Sequence, residues 1–166
     1  MIQTNYTSQE RYIIKQFVER ARLEDELFAI KVFEWFGWKA NQGTIHEDWQ
    51  HIDIHTYRDD KYVKVDVKRN SNGYKTGPNF TFTIKNGKCK EFPFESGSDF
   101  AFIDEITNTI LLVDQKVFEN NFGGYTRHIG KLNKNSRYII VSKSDLRKIC
   151  HTEIKNIPQN ILNILK

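Results

Sequence analysis

His51-Ile52-Asp53-Ile54-His55-Thr56-Tyr57-Arg58-Asp59-Asp60-Lys61-Tyr62-Val63-Lys64-Val65-Asp66-Val67-Lys68 is the stretch whose reading decides the fold. Apolar and polar residues alternate through residues 51–57 and again, almost without exception, through residues 61–68, which is the period of a β-strand. Asp59-Asp60 between them supplies a turn, so the two runs predict an antiparallel hairpin. Alternation puts Val63, Val65 and Val67 on one face of the second strand and Lys64, Asp66 and Lys68 on the other. Asp53 stands between two isoleucines in the first strand, and a suitable register brings it beside Asp66.

Upstream of this hairpin, residues 8–36 contain no Gly or Pro. Ile13, Phe17 and Ala21 recur at helical spacing, as do Leu23, Leu27 and Ile30. Ser8 is a candidate N-cap and Gly37 a C-terminal stop, and the charges from Arg22 to Asp25 leave open one helix or two. Trp38-Lys39-Ala40 then suggests a short first strand. Downstream, the Asn-, Ser- and Gly-rich segment from Arg69 to Pro78 predicts a loop. Strands are expected at 80–84 and 88–92, turned at Asn86-Gly87, then at 99–106, 109–113 and 137–141. Helices are expected at 114–121 and 142–150, with an apolar tail at 161–166 that docks on the body.

Composition narrows the class. The chain has 166 residues, 39% hydrophobic and 28% charged, which suits one folded domain over residues 1–166. No apolar run is long enough to span a bilayer and no basic start leads a cleavable apolar segment, so a cytoplasmic protein without membrane association is expected. Cys89 and Cys150 lack the spacing of a zinc site or a disulfide framework. The net charge of +4 is compatible with a polyanionic partner and equally with a solvated surface.

The chemistry resides in the acidic residues. Two carboxylates side by side repel, and a divalent cation relieves that repulsion; Mg²⁺ takes a few carboxylate oxygens and keeps several waters. Lys68, two residues beyond Asp66, stands where it can orient a metal-bound water or stabilise charge on a phosphate. A helical Glu, then Asp53, then Asp66-Val67-Lys68 resembles the PD-(D/E)XK nuclease superfamily. Ile52 stands where the family often has Pro, and Asp66 where Glu is commoner. The resemblance runs from about Arg22 to Val113, including Gly97-Ser98-Asp99-Phe100-Ala101-Phe102 and Ile110-Leu111-Leu112-Val113.

That resemblance implies an α/β, restriction-endonuclease-like core, a mixed central β-sheet flanked by helices. It implies catalytic roles for Glu26, Asp53, Asp66 and Lys68, and Mg²⁺ or Mn²⁺ held by Asp53, Asp66, the carbonyl of Val67 and Glu26. Counting back from Gly37 selects Glu26, with Glu24 and Glu19 as fallbacks. It further implies hydrolysis of phosphodiester bonds in DNA, on the pattern of phage or bacterial Holliday-junction resolvases and restriction-type endonucleases, which often act as homodimers. The rival reading keeps the fold without turnover, as a nucleic-acid-binding or inhibitor protein. Lys64, Arg69, Tyr74 and Lys75 are candidate nucleic-acid contacts, Tyr74 by stacking on a base. His51 is a secondary candidate, sharing the ideal-strand parity of Asp53 with His55. Gly123-Gly124-Tyr125-Thr126-Arg127-His128 lacks the spacing of a phosphate-binding glycine motif and reads as a turn.

Overall fold

Residues 24–36 are helical, and we call this helix α1. Its end follows from Gly37, whose φ of 103° is open to glycine and strained for other residues. Trp38 N–H donates to the carbonyl of Phe33 at 2.9 Å and Gly37 N–H to that of Glu34 at 3.1 Å, the paired bonds of a Schellman cap. The computed structural model describes residues 24–44, 47, 52–70, 77–86, 89–90, 98–122, 126–127 and 137–166. The expected helical segment 8–23 lies outside the described residues, as do His51, Tyr74, Lys75 and all but Thr126 and Arg127 of the Gly123–His128 stretch.

The strands are β1 (Lys39–Gln42), β2 (Ile54–Arg58), β3 (Lys61–Arg69), β4 (Asn79–Asn86), β5 (Cys89–Lys90), β6 (Asp99–Asp104), β7 (Thr109–Asp114), β8 (Thr126–Arg127), β9 (Arg137–Ser142) and β10 (Thr152–Ile154). Helix α2 (Gln115–Phe122) follows β7, α3 (Lys143–Ile149) follows β9, and α4 (Gln159–Leu162) runs into a 3₁₀ turn (Asn163–Leu165). Six strands form a mixed sheet in the order β1-β2-β3-β6-β7-β10, antiparallel except where β3 meets β6. The expected α/β class with a mixed central sheet is therefore present.

The sequence reading left the sheet of several strands unassigned and missed others. Strands β4, β5, β8 and β9 do not join the central sheet but form a second one, in the order β5-β4-β9-β8. Sequence alternation fixes which residues share a face and is silent on which sheet a strand joins. Strands β8, within the stretch read as a turn, and β10 were not foreseen, because two or three residues are too few for a period to show.

The central sheet is apolar on both faces, with one core against each. Phe28, Ala29, Val32 and Phe33 of α1 pack on Ile54, Val65, Ala101, Ile103, Ile110, Leu112 and Ile154, with Ile157 and Ile161 of the carboxyl-terminal segment closing that side. Leu27, placed on an apolar stripe by its spacing, is exposed instead. On the other face Phe100, Phe102, Leu111 and Val113 meet Phe80 and Ile139 of the second sheet, Phe118 of α2 and Leu146 of α3. Each fully buried side chain of this size contributes about 1.5–3 kcal/mol from removal of apolar surface. The alternation 100, 102 against 101, 103 shows that neighbouring residues serve opposite cores. Asp114 caps α2, its carboxylate accepting from Lys116 N–H at 2.9 Å and Val117 N–H at 3.1 Å. Ser142 caps α3 through Asp145 N–H. Among the described residues no helix is long and apolar enough to cross a membrane.

Candidate metal centre on the hairpin

The β2–β3 hairpin forms in the register Ile54↔Val65 to Arg58↔Lys61. Asp59 and Asp60 both take positive φ, 47° and 65°, which is the type I′ turn that matches strand twist. At its other end the ladder departs from regularity. Ile54 is paired with Val65, yet Asp53 N–H also donates to the carbonyl of Val65, at 2.9 Å. Residues 53 and 54 thus both oppose residue 65, the arrangement of a β-bulge, which re-aims a side chain at a strand end.

The consequence falls on Val67. Carbonyls along a strand alternate in direction, so with the Val65 carbonyl facing β2, the Val67 carbonyl and N–H face the same way. A backbone partner from the first strand would normally meet them. Instead the Asp53 carboxylate accepts the Val67 N–H through Oδ2 at 2.6 Å. Asp66 and Lys68 flank this contact, and Lys68 Nζ lies 3.2 Å from Asp66 Oδ2. Register pairs Asp66 with Phe100 and Lys68 with Phe102, and Lys68 Nζ stands 5.8 Å from the Phe100 ring centre. Both side chains therefore face the layer of the second sheet. Asp53 is 8% exposed and Asp66 3%, so both carboxylates are withdrawn from bulk water.

Glu26 is 2% exposed, and its Oε2 accepts from Gln42 Nε2 at 2.6 Å. Gln42 pairs with Ile54, which brings Glu26 from the α1 side to the strand end where Asp53 sits. Among the described residues no three His, Cys, Asp or Glu side chains form a group that could hold a metal ion. The groups that the sequence assigns to an ion, Asp53, Asp66 and the Val67 carbonyl, lie at the same end of the hairpin, and all offer oxygen, the donor type of a hard cation such as Mg²⁺, which takes one or two carboxylates and keeps its waters.

Gly43 seats the bulge. Its N–H donates to the Asp53 carbonyl at 2.7 Å, and a Cβ there would lie 2.7 Å from the carbonyl oxygen of Ile52 and 3.1 Å from that of Asp53. Backbone cannot swing aside as a side-chain tip can. Gly43→Ala is therefore expected to cost about 1–3 kcal/mol in denaturant unfolding through overpacking, and to displace Asp53.

Arg69 has another occupation than the nucleic-acid contact expected of it. It shares the α1 face with Val65 and Val67, is 10% exposed in its side chain, and binds Asp25 at 2.7 Å, Glu105 at 3.0 Å and the Leu165 carbonyl at 3.3 Å. Its charge ties β3 to α1, to the β6–β7 turn and to the carboxyl-terminal segment. Lys64 does lie on the Asp66 face, paired in register with His55.

A cleft of about 620 Å³ opens elsewhere, lined by Trp38, Arg58, Lys61, Asp99, Asp114 and His151 among others. It shares Tyr62 and Lys64 with the Asp66 face but neither aspartate of the candidate centre. Asp99 Oδ2 accepts from Arg58 at 2.8 Å and lies 3.0 Å from His151 Nε2, while the Arg58 guanidinium stacks on Trp38. Burial acts to raise the Asp99 pKa, but the hydrogen bonds from His151 and Arg58 and their charges outweigh it and hold it below the ordinary value. A depressed folded pKa means stability that is complete above the unfolded value, about 3.9, and lost as pH falls through the folded one. Urea midpoints of the native chain and Asp99→Asn should therefore differ at pH 7 and converge as pH falls through the folded value.

No family model, curated protein or solved structure matches this chain. The site thus rests on its own geometry and on the order of residues that the sequence presents. Sequence reasoning passed over Gln42, Gly43 and the Arg58–Asp99–His151 clasp. Gly43 carried a signal, a lone glycine ten residues before Asp53, but close backbone approach has no periodicity to betray it.

Proposed function

We propose that the chain is a divalent-metal-dependent nuclease of the PD-(D/E)XK kind, with a restriction-endonuclease-like core, acting on DNA. The observation that carries the reading is the seat of Asp53: its carboxylate takes the backbone N–H of Val67 where the ladder ends, one residue from the Asp66–Lys68 ion pair. Asp53, Asp66 and the Val67 carbonyl would hold Mg²⁺ or Mn²⁺. Such an ion, when bound, polarises a phosphoryl oxygen and lowers the pKa of an attacking water. Lys68 orients that water and offsets charge growing on the phosphate. Its half-buried ammonium is positioned by Asp66 and the Phe100 ring. Glu26, held by Gln42, braces the strand end from the α1 side.

Labelled duplex, single-stranded and four-way-junction DNA, incubated with the full chain in Mg²⁺, in Mn²⁺ and in chelator, test this. Cleavage that needs the cation supports the reading. DNA retention at low salt with no cleavage in either metal supports instead a nucleic-acid-binding protein that keeps the fold without turnover.

A further inference from the structure

The hairpin carries a second feature on the Asp66 face. Tyr57 and Tyr62 are directly paired across β2 and β3, with ring centres 5.3 Å apart, and are 46% and 45% exposed. His55 stacks on Tyr62 with centres 5.6 Å apart and planes inclined by 15°. The His55 ring is fixed at both nitrogens, by the Tyr62 hydroxyl at Nδ1 and by Glu47 at 2.7 Å from Nε2. Three aromatic rings thus form a continuous ramp on the outside of the hairpin. Ile54, Thr56 and Val65 fill the opposite face, so the ramp is not part of either core.

We propose that this ramp is a stacking platform for the unpaired bases of a single-stranded nucleic acid, leading its backbone to Asp66 and Lys68. The position of the cut bond rests on the nuclease reading; the platform does not. Tyr62, Lys64, Asp66 and Lys68 succeed one another on one face of β3 at about 6.6 Å intervals, close to the phosphate spacing of a stretched single strand. Lys64 and Lys68 supply positive charge along that line. Aromatic faces beside a basic track are the way proteins hold single strands, because every base offers a π-face once it is out of the duplex. A closed duplex offers its bases to no such surface. Substrates with a free single-stranded arm, such as a flap, a frayed end or a gap, are therefore favoured over blunt duplex.

Fluorescence anisotropy of the full chain in chelator tests the platform, using labelled oligothymidine and oligouridine of about 20 nucleotides and a blunt duplex of equal length. The single strands should bind at least about tenfold tighter than the duplex. Tyr57→Ala and Tyr62→Ala should each weaken single-strand binding about 5- to 150-fold, the value of one lost base stack, and change duplex binding less than about twofold. Tyr57→Phe and Tyr62→Phe keep the ring and the cross-strand packing and should bind single strands as the native chain does. A 2-aminopurine placed in the strand should lose fluorescence on binding the native chain and regain it with the alanine variants. Equal affinity for duplex and single strand, or alanine variants that bind single strands normally, overturns the platform. If single strands bind through the tyrosines but nothing is cut, the platform stands and the nuclease reading falls. If duplex is cut and the tyrosines prove immaterial, the reverse holds.

Discussion

Asp66→Asn is expected to reduce cation-dependent DNA cleavage by about a thousandfold or more while leaving DNA binding in chelator within about threefold. The size follows from the role proposed for the carboxylate. An ion that polarises a phosphoryl oxygen contributes several kcal/mol to the transition state, and about 4 kcal/mol corresponds to three powers of ten in rate. Asparagine keeps the volume of a residue that is 3% exposed and keeps an oxygen for Lys68, so the fold should survive. A second readout separates lost metal from lost structure. Cation binding to the native chain should raise its melting temperature by mass action, by the equivalent of about 2.7 kcal/mol at a hundred times Kd, and Asp66→Asn should show no such rise. Lys68→Met should behave oppositely, retaining the cation-induced rise and losing cleavage, because in the proposed reading the amine acts on water and phosphate and not as a ligand. Full activity in Asp66→Asn would remove the aspartate from the mechanism.

What the sequence discloses about this site depends on the kind of interaction concerned. The hairpin, its turn and the shared face of Lys64, Asp66 and Lys68 follow from period-two alternation, a local property that survives folding unchanged. The helix end at Gly37 follows from glycine's access to positive φ. Asp53, expected beside Asp66, bonds Val65 and Val67 of the third strand, and ideal parity does not describe it, because a bulge at residues 53 and 54 breaks the alternation. Arg69 shows the same limit from the other side. It follows the acid-x-Lys triplet and looks available for phosphate, yet it turns to α1 and meets Asp25, 44 residues earlier, and Glu105, 36 residues later. Pairings across such separations leave no trace in local pattern. The second sheet was hidden for the same reason: Asn70, at the end of β3, bonds the Asn79 carbonyl and the Thr81 N–H and so links the two sheets, a contact made by a residue that reads simply as loop. The Tyr57–Tyr62 pair was legible in principle, since the two residues stand symmetrically about Asp59-Asp60, once the turn fixes the register.

Asp104→Ala is expected to be the most destabilising single change at a charged position, costing about 3–5 kcal/mol in denaturant unfolding. Asp104 is buried at the end of β6 and gathers four donors. Arg147 reaches its Oδ2, Lys143 Nζ lies 3.3 Å from Oδ1, Ile106 N–H donates at 3.0 Å and Thr107 Oγ1 at 2.9 Å. Burial by itself raises its pKa, but the bonds from Arg147, Ile106 and Thr107 and the charge of Lys143 prevail and hold the carboxyl below its ordinary value. Removing the carboxylate takes an anion from both cations: Lys143 is buried against Phe80, whereas Arg147 keeps Glu153 at 3.2 Å. An uncompensated buried charge is costlier than a missing ion pair, because the pair's attraction is largely consumed in repaying its own desolvation. The melting temperature should therefore fall by about 10 °C. Lys143→Met in the same background should recover part of the loss, giving a coupling of at least about 1 kcal/mol in the double-mutant cycle. The sign with pH follows from the depressed pKa: the deficit of Asp104→Ala is complete above the unfolded pKa of about 3.9 and shrinks as pH falls through the folded value. A loss below about 1 kcal/mol at pH 7 would show that Lys143 reaches water when Asp104 is gone, that Glu153 suffices for Arg147, and that this end of the sheet is held by its apolar layer.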